Sequence, residues 1–192
     1  MIASYPEIFF GSEGHSVADL QVIVSMFHRR EFAKNSFLQD EGKVQNRFWL
    51  IESGYIRAYV MDRNNDDITT SFFSAGDLAL DWASFLLRIP GRENLQALSD
   101  VECWEISFED FQKLFHRIEL FREKGRSRLV TAYMELKNHS ISLVAEDAKS
   151  RYLQLIKDKP AVVQHVSLKH IASYLGVTDT SLSRIRKEIA GG

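Results

Sequence analysis

The sequence predicts an α+β fold: an N-terminal antiparallel β-barrel or jelly roll, a long helix, and a C-terminal helical domain with a helix-turn-helix but no evident wing. Three observations predict it. Short apolar runs punctuated by tight turns fill residues 31–106, the pattern of an all-β barrel or sandwich. An apolar repeat at three-four spacing runs from Leu129 to Leu143. Two short helical stretches flank Gly176. The expected boundaries are 1–120 for the barrel, 121–146 for the long helix and 147–192 for the last domain.

The totals permit this and exclude other classes. A chain of 192 residues suits one large domain or two small ones, and 45% apolar with 26% charged residues is enough to build a core. The single cysteine, Cys103, rules out an intrachain disulfide framework and cysteine-only metal centres. MIASYPEIFFGSEGH lacks a basic n-region and a long apolar run, so no signal peptide is expected. No stretch approaches the ~20 apolar residues of a membrane helix. The expectation is a cytoplasmic protein with no membrane partner. Charge is unevenly spread: residues 147–192 hold eight Lys/Arg against four Asp/Glu, a net +4, and the remainder carries −6. A basic tail on an acidic body points to a polyanion partner for the tail.

Taken in order, Ser16 caps a first helix, with Asp19 at N3 and Val17, Leu20, Val24 and Phe27 on one face. Strands follow at Glu31–Leu38, Phe48–Ile51, Tyr55–Met61 and Ile68–Ser74, separated by polar or Gly-containing turns. In Tyr55–Met61, Ile56, Ala58 and Val60 share one side and Tyr55, Arg57 and Tyr59 the other. The stretch GDLALDWASFLLRIPGRENLQAL, Gly76 to Leu98, is long for a connection between strands and holds a short apolar helix. Asn94–Leu98 and Val101–Ile106 are expected to pair across Ser99-Asp100. Ser107 caps the next helix with Asp110 at N3.

The seam Leu129, Ala132, Leu136, His139 and Leu143 is narrow, as in a helix that pairs with a second helix. It predicts a homodimer, with a helix packed on its own barrel as the alternative. His139 reads as a polar register residue. Beyond Asp147, a helix over Ala148–Lys157 stops at Lys159-Pro160.

The segment SLKHIASYLGVTDTSLSRIRKEI predicts helices over Leu168–Leu175 and Thr180–Ile189. Gly176 gives the backbone freedom for a steep crossing, and Ala172 lets the helices approach. Ile171, Leu175, Val177, Leu182 and Ile185 share a small core. Thr178 or Asp179 caps the second helix. Its outer face presents Asp179, Thr180, Ser181, Ser183, Arg184, Arg186 and Lys187. An exposed second helix of this kind enters a major groove. Arg184 suits a guanine edge, Arg186 and Lys187 suit phosphates, and Lys169 and His170 could touch the backbone. Double-stranded DNA is the expected partner.

These pieces together resemble the CRP/FNR family of transcriptional regulators. On the barrel side the resemblance is carried by IESGYIRAYVMD, FSAGDLALDWASFL and GRENLQALSDVECWEIS. On the other side it is carried by HIASYLGVTDTSLSRIRKEI, whose IASYLG and SLSRIRK text is similar to a Bacteroidetes-type subgroup. The resemblance implies a cyclic-nucleotide-binding-type, cupin-like barrel, a dimer helix, transcription regulation and RNA polymerase as a partner. It places an effector pocket at Asp81, Trp82, Ala83, Ser84, Arg92 and Glu93. Counted without gaps, Asp81 falls where cyclic-AMP-binding members have a ribose-binding Glu. Gly91 falls where they have the phosphate-binding Arg, and Arg92 comes one residue late. A cyclic nucleotide, another small effector, or no ligand are left as alternatives, the second favoured.

No catalytic acid/base pair, nucleophile or metal triad is evident, so no enzyme activity, metal or fixed cofactor is expected. The histidines His15, His28, His116 and His165 read as isolated, and no His is expected on the barrel strands. The alternative function is a sensor or protein-interaction module with a vestigial DNA-binding tail. No wing hairpin is expected after Ala190.

Overall fold

The computed structural model describes residues 4–11 and 16–191. His15 and residues 1–3, on which part of the leader expectation rests, lie outside the described residues. Helices α1 (Tyr5–Phe10) and α2 (Val17–Ser25) lead into eight strands: β1 (His28–Phe32), β2 (Phe37–Gln39), β3 (Arg47–Ser53), β4 (Ile56–Met61), β5 (Asp67–Phe73), β6 (Leu78–Ala79), β7 (Asn94–Ala97) and β8 (Val101–Ser107). Helix α3 (Trp82–Leu87) is inserted between β6 and β7. The strands form two antiparallel sheets, ordered β1-β8-β3-β6 and β2-β7-β4-β5.

Between the sheets lie Trp49, Ile51, Ile56, Ala58, Leu95, Ala97 and Cys103, all buried. The opposite face of β3 sends Phe48 and Leu50 into a second core, with Phe10, Ile23, Phe27, Phe85, Leu114 and Phe121. Strand β3 is thus covered on both sides, which is why its residues read as an unbroken apolar run. Each such side chain contributes roughly 1.5–3 kcal/mol on burial.

Two expectations are corrected here. β7 and β8 do not pair with each other: β7 pairs with β4 and β2, and β8 with β1 and β3. Ser99-Asp100 carries the chain from one sheet to the other, and the Ser99 hydroxyl accepts from the Tyr55 amide at 3.0 Å. A two-residue polar turn has the same sequence look in either case. A histidine does occupy a barrel strand, since His28 opens β1, but it is exposed.

Gly54, in the β3–β4 turn, has φ +89, and a Cβ there would collide with the Asp100 carbonyl oxygen. Gly54→Ala is expected to destabilise the barrel by roughly 1–3 kcal/mol, read as a lower urea midpoint at unchanged m-value.

Helix α4 (Phe108–Arg117) starts at the Ser107 cap, whose hydroxyl accepts from the Asp110 amide at 3.1 Å. Helix α5 (Glu119–Ala145) is the long helix. Then come α6 (Ala148–Asp158), α7 (Pro160–His165), α8 (Leu168–Tyr174) and α9 (Asp179–Ala190). Pro160 both ends the α6 run and starts α7, where its missing N–H costs nothing. Ile171, Ala172, Leu175 and Leu182 are almost wholly buried at the α8–α9 crossing, and Gly176 turns with φ +67.

Candidate effector pocket and nucleic-acid interface

The N-terminus of α3 is closed by the chain's own carboxylate. Asp81 is the cap: one oxygen accepts from the Ser84 amide at 3.0 Å, the other from the Arg92 amide at 3.2 Å. The Asp81 amide donates to the Gln45 side chain at 2.8 Å, and the Gln45 amide donates to the Ser84 hydroxyl at 2.9 Å. Gln45 and Ser84 are fully buried. Backbone N–H groups at such a site attract an anion. Here Asp81 already supplies it.

A cavity of about 420 Å³ lies between β5, the start of α3 and α5. Of the expected pocket residues, Asp81, Trp82, Ala83 and Glu93 line it. Ser84 is buried among its hydrogen bonds, and the exposed Arg92 contributes only its amide to the Asp81 cap. No guanidinium from Arg92 therefore reaches the cavity. Arg88, the other candidate, is spent elsewhere: it donates to the Gln45 carbonyl at 2.6 Å and lies 4.0 Å over the Phe108 ring. Burial pushes the Glu93 carboxyl above its ordinary range and Asp81 adds to this, against a Thr70 hydroxyl that donates at 2.5 Å. The cations lining the cavity are Arg128, which donates to the Gly76 carbonyl, and Lys159, which donates to the Phe72 carbonyl and pairs with Glu135 at 3.4 Å, so neither presents a free fork to a phosphate.

The cavity also takes in Tyr133 and His139 of α5 and two side chains of the C-terminal domain, Lys159 and Tyr174. None of the last three was legible as pocket-forming, because their approach depends on how the domains dock. His139 stacks on Tyr174 with ring centroids 4.0 Å apart, so it packs within its own chain. Of the expected seam, Leu129, Ala132 and Leu136 also border the cavity, and Leu143 packs by Gly176. Beside them Val130, Met134, Ile141 and Val144 form an exposed apolar stripe along α5.

The docking of α8 on the barrel is the main feature the sequence did not disclose. Arg57, on the face of β4 away from the barrel interior, is only 4% exposed. Its guanidinium pairs with Asp67 at 2.5 Å, donates to His170 Nδ1 at 2.8 Å, and donates to the Gln96 side chain. Lys169 pairs with Asp67 at 2.7 Å, and the Thr69 amide donates to the Ser173 hydroxyl at 2.8 Å. Lys169, expected on a DNA backbone, is thus held on the barrel. Burial and the neighbouring Arg57 depress His170 to about 4. Its Nδ1 accepts from arginine, which fits the neutral ring.

Helix α9 meets its expectations in shape. Thr178 is the cap, accepting from the Ser181 amide at 3.2 Å, so its hydroxyl and that of Ser181 serve the helix start. Arg184, Arg186 and Lys187 stand exposed, with Asp179 and Thr180 exposed at the first turn and Ser183 half-buried.

Residues 29–118 match the family model of the cyclic nucleotide-binding domain. The barrel is thus similar to that domain. A curated relative, the cAMP-dependent protein kinase regulatory subunit of Candida albicans, is 23% identical over 79% of this chain. The chain spans 36% of that relative, about a third of its length. Among solved structures, FixK2 from Bradyrhizobium japonicum superposes with TM-score 0.74 at 15% identity, over 86% of this chain and 85% of that one. The c-di-GMP-responsive global regulator CLP of Xanthomonas campestris gives 0.69 at 17% identity, over 92% of each chain. A CRP/FNR-family chain from Eubacterium rectale gives 0.68 at 14% identity, over 92% and 84%. The architecture is the CRP/FNR fold with a cyclic nucleotide-binding-type barrel.

Among the described residues no cluster of His, Cys, Asp and Glu could hold a metal. No described helix is long and apolar enough to cross a membrane. Burial pushes the Cys103 thiol up to about 12, so it is an inert core group.

Proposed function

We propose that this chain is a homodimeric, sequence-specific DNA-binding transcription regulator of CRP/FNR type. The observation that carries the reading is α9: a capped helix, crossed tightly by α8, with Arg184, Arg186 and Lys187 exposed on its outer side. Helix α5 supplies the dimer contact, through the expected seam or the exposed stripe beside it. Two recognition helices then read half-sites about 34 Å apart. The IASYLG and SLSRIRK text supports the Bacteroidetes-type subgroup, and RNA polymerase is the partner such a regulator would act on. The effector is a small molecule other than a cyclic nucleotide, because Asp81 fills the anion site and Arg128, which lines the cavity, already donates to the Gly76 carbonyl.

The docked Lys169 favours a second reading, a sensor module whose helical tail binds protein. Fluorescence anisotropy with duplex DNA decides between them. The first reading expects affinity that falls steeply with salt, as counterions are released from the backbone. Absence of binding even at low salt overturns it and leaves the second.

A further inference from the structure

A second cavity, of about 340 Å³, lies where α1, α3, α4 and α5 meet. Its volume is within the roughly 300–1,000 Å³ of small-molecule sites, and protein interiors rarely leave such space empty. Its walls are almost wholly apolar, dominated by Trp82, Phe85, Phe111, Phe115 and Phe121. The α5 side of its lining carries Lys124, Arg126 and Arg128, and no Asp or Glu lines it among the described residues. Arg126 is shared with Glu123 at 3.5 Å, and Arg128 donates to the Gly76 carbonyl while covering Phe9. Among the described residues Lys124 has no ion-pair partner.

Gly125 adds an independent observation. It lies in the interior of a 27-residue helix, where glycine is unfavourable, and it lines this cavity. A Cβ built there meets nothing within 4 Å. No close neighbour in the chain requires a glycine, and its missing side chain leaves open space at this wall of the cavity.

We infer that this cavity binds a carboxylate on a long apolar body, such as a medium-chain fatty acid. The phenylalanine walls would take the chain, and Lys124 and Arg126 would hold the carboxylate at the rim. The charge at the rim selects an anion over an amine, and the uncharged polar side chains of the lining, Gln112 and His116, are bonded to each other at 3.0 Å, which favours a plain hydrocarbon over a sugar or nucleotide. This site adjoins the effector cavity, with Leu78, Leu80, Trp82, Arg128 and Leu129 lining both, but Phe111, Phe115, Phe121 and Lys124 line it alone.

The test is isothermal titration of the full chain with dodecanoate and with dodecylamine, both below their micelle concentrations. Dodecanoate is expected to bind saturably, one per chain, at least tenfold more tightly than the amine. Gly125→Leu, which favours the helix and projects into open space, should cut dodecanoate affinity at least tenfold without lowering the thermal midpoint. Lys124→Glu with Arg126→Glu should do the same for dodecanoate and spare the amine. No saturable binding, equal binding of the amine, or full affinity in Gly125→Leu overturns the inference. So does loss of binding as protein concentration rises into the dimer range, since a second copy is then the occupant.

Discussion

Replacing Asp67 with alanine is expected to destabilise the docked chain by about 3–5 kcal/mol, the usual cost of orphaning one partner of a buried ion pair. Arg57 is only 4% exposed and would keep its charge beside a neutral His170. Urea unfolding of wild type and Asp67→Ala measures this. Asp67→Ala combined with Arg57→Leu should recover much of the loss, because no unpaired charge then remains. A change below about 1 kcal/mol in the single variant would sink the account of this cluster.

The same cluster sets a pH dependence. Burial alone raises the Asp67 carboxyl, but hydrogen bonds and charge from Lys169 and Arg57 outweigh it and bring the group to about 2. Its folded value lies below the unfolded one. Its contribution is therefore complete above the unfolded value and lost as pH falls toward 2. His170 also has a folded value, about 4, below its ordinary 6.5. Undocked chain thus takes up a proton first, and docking weakens progressively as pH falls from 6.5 to 4. Arg57, Lys169 and the more distant Asp179 are the other charges acting on that ring.

Arg184→Ala is expected to remove roughly 1–3 kcal/mol of discrimination per half-site, the worth of one bidentate base contact. A dimer would lose it twice, so operator affinity should fall by roughly 1.5 to 4 orders of magnitude. Lys187→Ala should instead weaken all sequences alike and reduce the salt slope by about one. Anisotropy on operator and scrambled duplexes separates the two. Equal losses on both duplexes for Arg184→Ala would make Arg184 a phosphate contact.

What the sequence made legible was local. The caps at Ser107 and Thr178, the proline break at Lys159-Pro160 and the Ala172–Gly176 crossing are each set by residues within a few positions of one another. What escaped was set by contacts between distant segments. Arg57 reads only as a member of the Tyr55, Arg57, Tyr59 side of its strand until α8 covers it. Lys159 and Tyr174 read as parts of a helical domain until that domain meets β5 and α5. The misread β7–β8 hairpin has the same cause, since a short turn does not say which sheet receives the next strand. At the pocket the resemblance pointed to Asp81 and Glu93, which do line the cavity, yet nothing local announced that Asp81 would turn back onto two amides.

That turn has a consequence for what the cell could say to this protein. Asp81 is a competitor tethered by its own backbone, present at an effective concentration on the order of millimolar or more. A free phosphate at micromolar level would have to evict it from the Ser84 and Arg92 amides before it could bind there. On the reading proposed above, that tether sets the threshold any anionic signal must exceed.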